Sequence, residues 1–151
     1  MEPRKHQGGD AARVKGDYIT RVADVASLTP SQIDEIADGV GETWKRIGIK
    51  TNQIRNIYGC ISSARNAFAS WRRGSKRKSL EDVKNMLVFL KPRLAYAAGR
   101  MTKIRESEMD RFYRSAINGL EKVPAEKLEG ALDNFFRLSE AIVAYHKYHA
   151  G

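Results

Sequence analysis

Arg93, Tyr96, Arg100 and Lys103 fall at i, i+3, i+7 and i+10. On a helix that runs through Gly99, or bends mildly at Pro92, this spacing gathers the four side chains on one stripe. Three cations flanking an aromatic ring suit a nucleic acid: the cations meet phosphates, and the ring stacks on a base or packs against a sugar. A tyrosine half-buried at a core edge beside solvated arginines would produce the same pattern. Arg55 has no acidic residue at i±3 or i±4 and lies opposite the apolar positions of its own segment. In Arg72-Arg73-Gly74-Ser75-Lys76-Arg77-Lys78, five cations crowd into seven residues, as a flexible contact that tracks a phosphate backbone or as a solvated turn.

Other chemistry finds little footing. Gly-x-x-x-x-Gly-Lys-Ser/Thr, Gly-x-Ser-x-Gly and His-Glu-x-x-His are all absent from the sequence, so the common phosphate loop, nucleophile elbow and zinc-protease helix are not encoded. Cys60 is the single cysteine and adjoins Ile61, which suits a half-buried structural thiol better than a nucleophile. His146 and His149 are three residues apart without a thiolate or carboxylate at matching spacing, so they read as cations that suit a helix C-terminus rather than as metal ligands. Asp34, Glu35 and Asp38 form an acidic face of ordinary helix electrostatics. The expectation is no enzyme, no catalytic residue, no metal and no cofactor.

Charge distribution adds the strongest general constraint. The 151 residues carry a formal charge of +9. Residues 1–39 hold five Lys/Arg against seven Asp/Glu, residues 40–105 hold sixteen against three, and residues 106–151 hold six against eight. The middle of the chain therefore carries the whole excess. Like charges packed this densely repel one another unless a polyanion or salt relieves them, so a nucleic acid or another polyanion is the expected partner, ahead of a merely solvated basic face. One cysteine excludes an internal disulfide framework. No apolar run approaches the ~18–20 residues of a membrane span, and the first sixteen residues are too polar for a signal peptide. A cytoplasmic protein without a membrane partner is expected.

The elements that must position these cations are all helical. Residues 1–29 lack a sustained apolar period and read as a mobile tail, with room for a short helix over Tyr18–Ala26; residues 30–151 read as one domain. Thr29, Pro30 and Gln32 signal a capped helix start, followed by Ile33, Ile36, Ala37, Val40, Trp44 and Ile47 at helical spacing and a stop at Gly48. Gly39 and Gly41 weaken that helix unless close helix contact or a bend uses them. Thr51 is expected to cap a second helix carrying Ile54, Ile57, Tyr58, Ile61, Ala64, Phe68 and Trp71, with Gly74 ending it. Ser79 and Asp82 open a third helix on Val83, Leu87, Leu90, Leu94 and Ala98. That helix is kinked near Val88–Lys91, or broken and restarted around Pro92. A fourth covers about Thr102–Leu120, and Pro124 opens a fifth carrying Leu128, Leu132, Phe135, Leu138 and Ile142. No segment alternates with period two. The expected fold is all-α, a compact bundle of about five helices.

Three blocks resemble one known family. Leu90-Lys91-Pro92-Arg93-Leu94-Ala95-Tyr96-Ala97-Ala98-Gly99-Arg100 resembles the signature of the small helical subunit of type III-A CRISPR–Cas effector (Csm) complexes. Thr51-Asn52-Gln53-Ile54-Arg55-Asn56-Ile57 is similar to that family's Thr-x-x-Gln/Lys-Ile-Arg-Asn segment. Glu140 to Tyr148 is similar to its C-terminal ending. The resemblance spans about residue 30 to the end, with the blocks in the family's order. It implies a five-helix, non-catalytic subunit of an antiviral defence complex. Several copies would line up beside the backbone subunits, near the large subunit, and help form the groove in which target RNA pairs with guide RNA. The matching basic positions are Arg55, Lys91, Arg93 and Arg100. Spacing adds Lys103, and the link adds Arg72, Arg73 and Lys76, as RNA-binding candidates. Two rivals stay open: a helix-turn-helix DNA-binding regulator using Gly48–Asn56, and a structural adaptor whose basic face meets an acidic protein.

Overall fold

The computed structural model describes residues 18–100 and 104–151. Among them are an α-helical stretch at residues 18–21, six α-helices numbered from Pro30 onward, and no strand: α1 (Pro30–Arg46), α2 (Thr51–Arg72), α3 (Leu80–Val88), α4 (Leu90–Arg100), α5 (Ile104–Glu121) and α6 (Leu128–Ala150). A 3-10 segment, Val22–Ser27, precedes α1, and a short 3-10 turn, Ala125–Lys127, leads into α6. No helix among the described residues is long and apolar enough to cross a membrane.

Local chemistry sets most of the boundaries. The Thr29 hydroxyl accepts from the Gln32 backbone N–H at 3.2 Å, and the Thr29 N–H donates to Gln32 Oε1 at 2.8 Å. This reciprocal cap satisfies two of the donors that a helix start leaves orphaned. After α1 the chain turns at Gly48, whose φ of 95° lies in the left-handed region that favours glycine. The cap of α2 sits one residue earlier than the sequence suggests. Lys50 is the N-cap and Thr51 the first helical residue, because Gln53 Oε1 reaches back to the Lys50 N–H at 2.8 Å. Ser79 caps α3 as expected, with Asp82 accepting from its N–H at 2.9 Å. Those bonds from Ser79, backbone first and hydroxyl second, hold the Asp82 carboxyl below the usual carboxylate range.

Between Val88 and Leu90 the helix is interrupted at Phe89, and Pro92 lies in the first turn of α4. There its missing N–H costs no intrahelical bond. This interruption makes six helices out of an expected five.

The expected tail boundary at residue 29 is corrected. Val22 and Val25 are fully buried, and Tyr18 and Leu28 are nearly so. The carbonyls of this stretch are claimed by side chains of the bundle: Ser115 Oγ donates to Ile19 O at 2.7 Å, and Asn134 Nδ2 donates to Val25 O at 2.9 Å and Leu28 O at 3.0 Å. Residues 18–28 are therefore part of the packed domain. Their buried positions Tyr18, Val22 and Val25 fall at i, i+4 and i+7, a stripe too short to show in the sequence that other helices cover it.

The most extensive helix pairing is between α1 and α6. Gly41 makes it possible: a Cβ there would lie 2.8 Å from the backbone nitrogen of His146. Gly39 serves a different face of α1, where the Tyr18 ring occupies the room of a side chain. Close contact, not a bend, accounts for both glycines. Seven rings then run through the core, from Phe112 and Trp44 through Tyr113, Phe135, Phe136 and Phe68 to Trp71, with successive centroids 5.4–6.4 Å apart. They tie α1, α5, α6 and α2 together, and burial pushes the Tyr113 hydroxyl well above its ordinary pKa.

Two substitutions test this packing by thermal or denaturant unfolding. Leu94→Ala, at a position 1% exposed, is expected to cost about 2–5 kcal/mol. Gly41→Ala is expected to cost about 1–3 kcal/mol by overpacking the α1–α6 seam. Wild-type stability in either variant would contradict the seam or the core described.

Candidate nucleic-acid interface

The basic middle of the chain divides into cations that brace the fold and cations that face outward. Arg65 pairs with Glu140 at 2.8 Å, Lys84 with Glu81 at 2.9 Å, and Lys91 with Glu121 at 2.6 Å. Arg72 holds Glu129 at 3.1 Å and Asp133 at 3.2 Å, and its guanidinium stacks 4.5 Å over the Phe68 ring. Except for Glu81, these carboxylates all come from the acidic C-terminal third. They fasten α2 to α6 and α4 to α5.

Nine other cations of residues 40–105 are exposed, with no carboxylate in ion-pair reach among the described residues: Lys45, Arg46, Lys50, Arg55, Arg73, Lys76, Arg77, Lys78 and Arg93. They fall in three places. Lys45, Arg46, Lys50 and Arg55 surround the corner between α1 and α2. Arg73 through Lys78 mark the other end of α2, ~33 Å away at 1.5 Å per residue over its 22 residues. Arg93 lies on α4, which packs against α2.

The candidates named from sequence therefore separate. Arg55, Arg93, Arg73 and Lys76 are exposed, though Arg73 also donates to Ser70 Oγ at 3.3 Å. Lys91 and Arg72 are engaged in bracing pairs, so their charge is largely answered inside the fold. The Arg100 side chain and all of Lys103 lie outside the described residues, so the four-residue stripe is followed only through Arg93 and Tyr96. Tyr96 is 68% exposed, which is not the half-buried core-edge position. Sequence reasoning missed Lys45, Arg46 and Lys50 as a group with Arg55. Their signal was the lack of any acidic residue between Glu42 and Glu81.

The histidines and the acidic face of α1 belong to the seam instead. His146 is 2% exposed, and its Nε2–H donates to the Ile49 carbonyl at 2.8 Å. His149 Nε2 meets Asp38 at 2.6 Å, the Tyr145 hydroxyl donates to Asp34, and Arg21 pairs with Glu35 at 3.3 Å. Asp34 and Asp38 therefore zip α1 to α6. No group of three or more His, Cys, Asp or Glu side chains among the described residues has metal-binding geometry. At Gly48–Asn56, Ile54 and Ile57 are buried, so the first turns of α2 present only Asn52, Arg55 and Asn56 outward.

The described residues form an all-α bundle whose basic middle carries an outward set of cations without carboxylate partners among them. The family model Csm2 Type III-A matches residues 27–151. The chain belongs to that family, the small subunit of type III-A CRISPR effector complexes. No curated protein and no solved structure matches it significantly.

The division of cations has a measurable consequence. Arg72→Ala is expected to lower stability by about 1–2 kcal/mol, because two ion pairs and a ring contact are lost together. Arg55→Ala and Arg93→Ala are expected to stay within about ±0.5 kcal/mol. Thermal melting of the three variants side by side checks this, and equal shifts would contradict the division.

Proposed function

We propose that this subunit is non-catalytic and contacts target RNA, paired to the guide RNA, through its outward cations. Several copies line the groove of a cytoplasmic antiviral complex, beside its backbone and large subunits. The observation that carries this reading is the set of nine exposed cations without carboxylate partners among the described residues. Family membership supports the complex as the setting. Base pairing supplies specificity in an RNA-guided complex, so the protein needs only shape-tolerant contacts to phosphate and ribose. Arg55 and Arg93 suit this role because a planar guanidinium holds a phosphate through two hydrogen bonds. A lone copy binds weakly, and repetition along one RNA supplies avidity.

Binding of single-stranded RNA by the purified protein is expected to be weak, tolerant of sequence and steeply salt-dependent. Log K against log[salt] should fall with a slope of about −2 to −4 if about three to five phosphates are neutralised. The double variant Arg55→Ala with Arg93→Ala should lower that slope by roughly one to two units and weaken target capture by the assembled complex. A slope near zero, or preference for duplex DNA or an acidic protein at matched salt, would overturn the reading. Labelled RNA and DNA should survive incubation with the protein and magnesium or manganese. Cleavage abolished by mutating one of its own acidic residues would show an enzyme instead.

A further inference from the structure

We infer that the cleft where α2 turns toward α3 is a seat for one backbone phosphate of an RNA strand. The inference deepens the RNA-contact reading and rests on it. The cleft, of about 300 Å³, is lined by Ala67, Ser70, Ser75, Arg77 and Lys78. Its walls are shaped by backbone bonds. Gly74, at φ 98°, closes α2 with its N–H donating to Trp71 O at 3.0 Å, while the Ser75 N–H donates to Ser70 O at 3.0 Å. These two bonds are the paired closure of a left-handed helix end. They fix Ser75 over the last turn of α2, so the link that the sequence suggested to be flexible starts as a defined turn.

Within the cleft both serine hydroxyls keep their protons unspent. Ser75 Oγ accepts the Arg77 N–H at 3.2 Å, and Ser70 Oγ accepts the Arg73 guanidinium at 3.3 Å. Neither hydroxyl has an acceptor for its own proton among the described residues. Arg77 and Lys78 are exposed and make no ion pair. Lys78 feels the charge of Asp82, but that carboxylate is turned to the Ser79 N–H at 2.9 Å. The nearby carboxylates of α6, Glu129 and Asp133, are held by Arg72.

The cleft thus offers two hydroxyl donors and two cations, and its lining side chains include no carboxylate. A tetrahedral oxyanion answers that set, since its oxygens only accept. Ala67 leaves an apolar wall against which a ribose packs. This favours a phosphodiester within a strand over free phosphate.

The test follows the backbone amides of Ser75, Arg77 and Lys78 by NMR in the full chain, titrated with a short oligouridylate and, separately, with inorganic phosphate. RNA should shift these signals. The pair Arg77→Ala with Lys78→Ala should lower the salt slope of RNA binding by about one unit. Ser75→Ala should weaken binding severalfold with the slope unchanged, because no charge is removed. Melting midpoints should match the wild type; should the charge pair melt early, Ser75→Ala decides alone. Shifts with inorganic phosphate but not with RNA would overturn the strand assignment. Unchanged RNA binding in the cleft variants, while the Arg55/Arg93 pair still weakens it, would overturn the seat and leave the proposed function standing. No RNA binding by the wild-type chain would overturn both.

Discussion

Helices α1 and α6 approach until the backbone of His146 occupies the space that a side chain at position 41 would need. Much of the bundle's arrangement follows from that contact. It brings Asp34 and Asp38 against Tyr145 and His149, and it lets the buried His146 ring reach the Ile49 carbonyl. That last bond fastens the corner between α1 and α2 to the far helix, so α2 leaves in a fixed direction. A backbone carbonyl in a closed corner is expensive to bury without a donor. The histidine therefore works as a structural donor, and the corner cations Lys45, Arg46, Lys50 and Arg55 are left facing outward.

Charge is organised by the same economy. The acidic C-terminal third supplies Glu121, Glu129, Asp133 and Glu140 to the inward side of the basic middle. Each pair is partly exposed and modest alone, but together they join α2 to α6 and α4 to α5. Cations beyond the reach of these carboxylates accumulate at the two ends of α2 and on α4. The excess of positive charge thus sits where neither the helix contacts nor the bracing pairs depend on it.

Much of this was legible in the sequence. The caps at Thr29 and Ser79, the stop at Gly48 and the stripes of α1, α2, α3 and α6 follow from side-chain type at 3.6-residue spacing, and the structure has them. Short-range signals failed where long-range contacts decide. Val22 and Val25 are buried because α5 and α6 cover them, and nothing within their own segment announces it. Gly39 and Gly41 suit contact or a bend by sequence alone, and Tyr18 and His146, which occupy the space, decide for contact. For the candidate interface, the segment was legible and the partition was not: Arg72 and Arg73 are neighbours, yet only Arg72 lies within reach of Glu129 and Asp133. Such pairing depends on how α6 lies across α2, which charge counts along the chain do not contain.

The chain of aromatic rings has a practical corollary. Its two indoles, the only tryptophans in the sequence, sit toward opposite ends of the run. Trp44 is 2% exposed in the α1 seam. Trp71 is half-buried one residue before Arg72, stacked on Phe68 at 6.4 Å, and its carbonyl accepts the Gly74 N–H. Emission from Trp44 tracks the integrity of the core, whereas Trp71 senses water and charge beside the α2–α3 turn. Replacing either indole with phenylalanine separates the two signals. The fold thereby carries two intrinsic optical reporters, one for unfolding and one for events at its cationic end.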